Sequence, residues 1–326
     1  MLLHGLNGAG KTNLLEALHV GTQVFSPRSR RDGTMIRFDA DAARVRLSGR
    51  LGDNAFATDV VLARHDARRI DLNGERLSSG DRLRQELTTL VFTPDRLAVV
   101  KGGPATRRAY LDRAVGRLLP ARSTLANEYA SAVGQRNAGL RRIRWGSSTR
   151  AALEPWTAKV AELGEALVHA RLAAIELLAS PFAQSAGELG LEAASLRYEG
   201  EPPTANDLAA RIDTDLERGV TSVGPHLHDL RIEAGERDLR SFGSQGEQRM
   251  AVLALVLAEA AALRERSGLS PLVLLDDVLS ELDGDRRRSL ADMLERGSQT
   301  VITATATAAL PIEPAQALAV TPGEVR

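Results

Sequence analysis

The chain has 326 residues, enough for one large domain or two ordinary ones. Basic and acidic residues balance at 42 each, aromatics make up 3%, and there is no cysteine. These values exclude a strongly basic non-specific nucleic-acid binder, a set of aromatic base-stacking platforms, disulfides, thiolate metal sites and a cysteine nucleophile. A cytoplasmic protein is the expectation. The glycine-rich start is too short in its apolar part for a signal peptide, and the most apolar stretch, 250–263, is too short for a membrane span and contains Glu259.

In chain order, a glycine-rich turn at 5–10 leads into a predicted helix over 12–20. Residues 44–73 read as short antiparallel strands, with alternation at Val45, Leu47 and at Val60, Leu62. Asn73-Gly74 is a two-residue hairpin turn, since both positions tolerate positive φ. From 118 to 189 the pattern is helical. A helix over 125–143 ends near Gly146-Ser147-Ser148, and Pro155 opens a longer one carrying Leu163, Leu167, Ala174 and Leu178 on one face. Two such helices form an αα-hairpin, either packed on the common core or standing as a lobe. Strands are predicted at 196–198 and 230–233, then an apolar helix over 250–263 and continuous apolar strands at 272–275 and 300–303. Apolar strands of that kind are covered on both faces. The expected fold is α/β, a mixed sheet with flanking helices formed by 1–117 and 190–326, with 118–189 as a helical insertion.

Gly5-Leu6-Asn7-Gly8-Ala9-Gly10-Lys11-Thr12 has the spacing of a phosphate-binding loop. Its glycines let backbone N–H groups turn inward around a phosphate, and the helix that follows offers its N-terminal dipole to the same anion. Lys11 is suited to the β- and γ-phosphates of ATP, and the Thr12 hydroxyl to Mg2+. Gly5, Asn7, Gly8, Ala9, Gly10, Lys11, Thr12 and Asn13 form the candidate ATP site. Only Met1 to His4 precede the loop, a stub of a strand, so the expectation is a late-assigned start or a natural truncation.

Leu272-Val273-Leu274-Leu275-Asp276-Asp277 is an apolar strand ending in two acids, the Walker B pattern. Acids at such a strand end lie where α/β folds bind ligands. Asp276 is the candidate metal-side acid. Asp277 is the candidate catalytic residue, orienting or deprotonating the attacking water. Ser244-Gln245-Gly246-Glu247-Gln248 opens the apolar helix. Read alone it is a serine N-cap with Glu247 three residues on, a capping box. Beside the other motifs it matches the signature of ATP-binding-cassette (ABC) ATPases, in which Ser244, Gln245, Gly246 and Gln248 would meet the γ-phosphate held by a second copy. Ser280-Glu281-Leu282-Asp283 stands where such proteins have the dimer-facing D-loop, and Thr303 where many have a γ-phosphate-sensing histidine. No glutamine is assignable to a Q-loop.

Three segments resemble the RecF family of DNA-repair ATPases: the loop and helix Gly8-Ala9-Gly10-Lys11-Thr12-Asn13-Leu14-Leu15-Glu16-Ala17, the stretch from Pro94-Asp95-Arg96-Leu97 to Tyr110-Leu111-Asp112, and residues 274–283. The resemblance runs from residue 1 to about 305. It implies an ABC-type head that dimerises on DNA when ATP binds, acting in replication, recombinational repair and the SOS response, with RecR and RecO as partners and no membrane. Gapped or double-stranded DNA and single-strand junctions are the implied ligands. Asp277, one methylene shorter than the glutamate usual in ABC ATPases, suits slow, DNA-dependent hydrolysis. Where the family has Gly-Pro-His-Arg-Asp-Asp-Leu, this chain has Gly224-Pro225-His226-Leu227-His228-Asp229-Leu230. Arg107, Arg108, Arg141, Arg142 and Arg144 are candidate contacts to DNA phosphates, although solvated helix faces and surface ion pairs are the plainer reading of each. The alternatives are a degenerate relative that binds DNA or RecR without turnover, and a transporter ATPase subunit, for which the 94–112 stretch has no use.

Overall fold

The computed structural model describes residues 1–29, 31–268, 270–295 and 297–326; the side chain of Glu281, in the expected D-loop, lies outside the described set. The chain divides into two compact units. One comprises Met1–Leu97, Gln184–Leu191 and Gln245–Arg326, the other Ala98–Ala183 and Glu192–Ser244. The second unit therefore takes in more than the helical segment 118–189. Buried ion pairs, Arg107 with Asp229 and Arg136 with Asp215, tie 192–244 to that unit's helices, and such long-range bonds leave no trace in local periodicity.

The first unit is organised by a six-stranded sheet. Leu2–His4 lies between two parallel neighbours, Thr300–Ala304 and Ala317–Thr321. Thr300–Ala304 also pairs with Leu272–Leu275, which in turn pairs with Thr89–Phe92, again in parallel. A hairpin with Glu324–Val325 supplies the antiparallel edge. The three-residue strand Leu2–His4 thus occupies a central position, and Leu2 and Leu3 are buried. Residues 317–321, for which the sequence pattern suggested no element, form its outer neighbour.

A second, four-stranded antiparallel sheet runs Ala42–Leu51, Asn54–Ala63, Arg69–Leu72, Glu75–Arg76. Its strands are longer than the alternation suggested, reaching ten residues each in the first pair. The Asn73-Gly74 turn forms as expected, with φ 52° and 83°, and the Asn73 side-chain oxygen accepts the Ala57 N–H at 2.8 Å. Helix Lys11–Gln23 joins the two sheets. Leu15 packs with Leu3, Val91, Leu274 and Val301 on the parallel sheet, whereas Val20 and Val24 pack with Val60, Leu62 and Ile70 on the antiparallel one. The helix therefore runs past residue 20, because its last turn has its own core to fill. Helix Gln245–Ser267 is buried around nearly its whole circumference from Met250 to Leu263, Glu259 included, as a sequence apolar at every other position of that stretch demands.

The second unit combines helices Pro104–Leu118, Leu125–Arg144 and most of Glu154–Glu188 with a small sheet, Ala194–Glu199, Asp229–Ala234 and Arg237–Asp238. The strands expected at 196–198 and 230–233 are present, but they pair with each other rather than joining the parallel sheet. By length and composition alone, Arg150–Glu188 could cross a membrane. Its Arg171 is 2% exposed and ion-paired to Asp112, and Leu167, Ala174 and Leu178 are buried, which is the build of a core helix.

Arg136 and Asp215 form an ion pair at 2.7 Å with both side chains fully buried. Thr221, Asn137 and Ser222 complete the network. Asp215→Ala leaves the Arg136 guanidinium buried without its counter-charge and is expected to cost about 3–5 kcal/mol. Both tryptophans, Trp145 and Trp156, lie in this unit, so urea unfolding followed by tryptophan fluorescence reports the loss directly; an unchanged midpoint would contradict it.

Candidate nucleotide-binding site

The parallel sheet brings the two acids and the glycine loop to one edge. Leu3 is in register with Thr303, and Leu275 with Ile302, so the strands ending at His4, Ala304 and Leu275 terminate side by side. Gly5 N–H continues the ladder to the Ala304 carbonyl at 3.3 Å. A β-carbon on Gly5 would lie 2.3 Å from the Val320 carbonyl oxygen. The first glycine of the loop is thus required by the neighbouring C-terminal strand, independently of any ligand. Gly8 and Gly10, at φ 82° and 104°, turn the loop through conformations that disfavour side chains. The helix then starts at Lys11.

The Lys11 ammonium donates to the Gly5 and Leu6 carbonyls at 2.7 and 3.0 Å. Thr12 Oγ1 donates to Asp276 Oδ1 at 3.0 Å, joining residues 264 apart in the chain. Thr303 Oγ1 donates to the same oxygen at 2.8 Å and accepts the Asp277 N–H at 2.8 Å. Asp276 is buried, and Asp277 is exposed on a left-handed turn, φ 49° and ψ 29°.

These groups line one cavity of about 290 Å3, bounded by Asn7, Gly8, Gly10, Lys11, Thr12, Asn13, Asp276, Asp277 and Thr303. That volume is at the small end of the ~300–1,000 Å3 of ligand sites. The cavity joins a cation, a helix N-terminus and loop amides at one end to two carboxylates at the other, a polarity suited to a polyphosphate. Thr12 and Asp276 present hard oxygen donors side by side, the type Mg2+ takes when phosphates complete its shell. Among the described residues no three His, Cys, Asp or Glu side chains gather into a metal cage.

Not every sequence candidate reaches this cavity. Gly5 lies against Val320 and Ala9 is buried. Ser244, Gln245 and Gly246 are exposed at the start of helix Gln245–Ser267. Gln248 is 4% exposed, so it is corrected from a residue facing a second copy to one inside the protein. Asp283 caps helix Gly284–Glu295 by accepting the Arg286 N–H at 2.9 Å. Arg107 is likewise corrected: 3% exposed, it grips Asp229 through two bonds of 2.8 and 2.6 Å and donates to the Gly102 carbonyl. Arg108 is half-buried and donates to the His228 carbonyl. Arg141 and Arg142 are exposed.

The altered 224–230 segment is engaged through its histidines, Pro225 and Asp229. Tyr129 Oη bonds His226 Nδ1 at 2.7 Å, Tyr198 Oη bonds His228 Nδ1 at 2.9 Å, and Arg171 donates to the Pro225 carbonyl. His228 takes the position of a family acid and meets Tyr198, while Leu227 is 55% exposed. Sequence reading missed this network because its members, Tyr129, Arg171 and Tyr198, are scattered along the chain.

Fold and cavity together define an ABC-type ATPase head. The RecF/RecN/SMC N-terminal domain model matches residues 1–321. The DNA replication and repair protein RecF of Heliobacterium modesticaldum is 36% identical over 317 residues, 92% of this chain and 85% of that protein. The RecF of Myxococcus xanthus is 37% identical over 322 residues, 92% and 83%. The solved structure of the recombination mediator protein RecF with ATP, in the RecFOR pathway, superposes with a TM-score of 0.89 at 29% identity, covering 100% of this chain and 90% of that one. An Smc head bound to part of ScpA shares the fold alone, with a TM-score of 0.57 at 16% identity. The chain belongs to the RecF family.

Gly5→Ala forces the Ala317–Thr321 strand aside, and thermal unfolding is expected to show a loss of about 1–3 kcal/mol; full stability would mean that the strand yields freely. Burial, aided by the charge of Arg171, holds the His228 imidazole down at about 4. The unfolded chain, titrating near 6.5, then binds more protons than the folded one between pH 6.5 and 4, so stability falls as pH drops through that window. His228→Gln should flatten this slope in urea midpoints measured from pH 7 to 4; parallel slopes would disprove it.

Proposed function

We propose that this protein binds ATP and Mg2+ at the cavity between the 5–13 loop and Asp276, and that the nucleotide closes two copies head to tail on DNA during recombinational repair and replication-fork maintenance. The observation that carries the reading is the Thr12–Asp276 hydrogen bond, which joins the phosphate loop to the Walker B acid. The family membership and the ATP named with the solved RecF structure support it.

In this reading the loop amides and Lys11 hold the β- and γ-phosphates, and the Lys11 ammonium exchanges its two carbonyl partners for phosphate oxygens. Thr12 and Asp276 hold the cation, which when bound neutralises charge on those phosphates. Asp277, exposed beside Asp276, orients the attacking water and accepts its proton. Ser244, Gln245 and Gly246, exposed at a helix start, meet the γ-phosphate bound by the other copy, with Asp283 near the same junction. Arg141, Arg142 and Arg144, exposed in the last turn of helix Leu125–Arg144, are the arginines left for DNA phosphates; gapped duplex is the substrate class, and RecR and RecO are the partners by family. The bonded side chains of His226, His228 and Asp229 support an active protein over a degenerate one, because the altered segment is still tied to Tyr129, Tyr198 and Arg107.

ATP turnover measured with and without gapped duplex tests the proposal. DNA should raise a slow basal rate, and Lys11→Ala should abolish both ATP binding and turnover. Asp277→Asn should bind ATP normally while losing about 10²-fold or more in turnover. Undiminished turnover in Lys11→Ala would end the proposal, and ATP binding without any turnover in the unaltered protein would favour the non-hydrolysing alternative.

A further inference from the structure

The Asp276–Asp277 peptide is held by one hydroxyl. Thr303 lies near the end of Thr300–Ala304, the strand that separates the one leading into the glycine loop from the one leading into the acids. Its side chain is 1% exposed. A threonine hydroxyl has one proton to give and lone pairs to accept with. Here the proton goes to Asp276 Oδ1 at 2.8 Å, and a lone pair takes the Asp277 N–H at 2.8 Å. The two bonds close a small ring across the peptide that joins the acids.

That ring forms where the backbone changes hand. Leu272–Leu275 is extended, Asp277 is left-handed, and a 3-10 turn over Val278–Glu281 follows. A left-handed aspartate persists only when its surroundings hold it there. The Thr303 bond to its amide does so, and the turn leaves Asp276 buried and Asp277 exposed at the cavity. Thr12 and Thr303 both donate to Oδ1 of Asp276. Among the described residues these are the side-chain donors to that carboxylate, so its orientation depends on the two threonines, one from the first turn of helix Lys11–Gln23 and one from the neighbouring strand Thr300–Ala304.

We propose that Thr303 is the positioning residue of this site, fixing the Asp276 carboxylate for the cation and the Asp277 turn for the attacking water. Both capacities of its hydroxyl are engaged within the protein, a positioning role in place of the γ-phosphate sensing that its place in the sequence suggested. This inference rests on the ATP reading of the cavity.

The test compares Thr303→Val, which keeps the shape and removes the hydroxyl, with Thr303→Ser, which keeps the hydroxyl. Half-saturating Mg2+ is read from the binding of a fluorescent ATP analogue, and kcat and KM from turnover. Thr303→Val should raise the Mg2+ requirement and lower kcat by roughly 10–100-fold each, the range found when a residue orienting a metal ligand is removed. Its affinity for the analogue in EDTA should stay within about twofold, because the loop that holds the phosphates is intact. Thr303→Ser should restore both quantities to near the parent values. Thr303→Ala, which lets water reach Asp276, carries the same comparison if the valine variant does not fold. Parent-like Mg2+ dependence and kcat in Thr303→Val, or equal losses in Thr303→Val and Thr303→Ser, would overturn the positioning role. The control separates the two readings: if Lys11→Ala also binds the analogue normally, it is the ATP reading itself that fails.

Discussion

One carboxylate oxygen, Asp276 Oδ1, receives hydroxyl protons from Thr12 and Thr303, and the site has its shape only because these three meet. Their meeting depends on strand order. Thr300–Ala304 must lie between Leu2–His4 and Leu272–Leu275, all three parallel, for their C-terminal ends to share an edge. Parallel strands cannot be joined by tight turns, so the connections between them are long. Here the connection from Leu2–His4 to Thr89–Phe92 contains the antiparallel sheet, and the one from Thr89–Phe92 to Leu272–Leu275 contains the entire second unit. The site is therefore a property of the assembled sheet rather than of any local segment.

The second unit is held together in a different way. Arg107, Arg136 and Arg171 are each buried and each paired to an aspartate, Asp229, Asp215 and Asp112. Buried ion pairs add little net stability over an apolar core, but breaking one is costly, so they penalise wrong arrangements strongly. Two of them act on the 224–230 segment: Arg107 fixes Asp229 and Arg171 fixes the Pro225 carbonyl. The histidines at 226 and 228 are then seated against tyrosines. Burial lowers both imidazoles from their ordinary range, which keeps them neutral members of the network.

Much of the local structure was legible in advance. Asn73-Gly74 marks a two-residue turn because both positions accept positive φ, and the turn is there. The apolar runs at 272–275 and 250–263 are a buried strand and a buried helix, since Glu259 is the single polar residue in either. What local patterns could not carry were distant partnerships. The strand Ala317–Thr321 has only one fully buried residue, Val320, and became recognisable through its pairing with Leu2–His4. Arg107 reads as a surface cation until Asp229, 122 residues away, is placed against it. Gln248 reads as part of an exposed motif until its helix turns it inward.

By itself, then, the sequence determined the glycine loop, the paired acids and the family to which they point, because each is a short run whose spacing is set by backbone geometry and ligand chemistry. Only the tertiary structure decided which oxygen the two threonines share, why Gly5 must be glycine, which arginines remain at the surface, and where the chain divides. Those outcomes depend on which strands lie side by side. Strand neighbourhood is settled by packing over the whole chain, so no window of local sequence contains it.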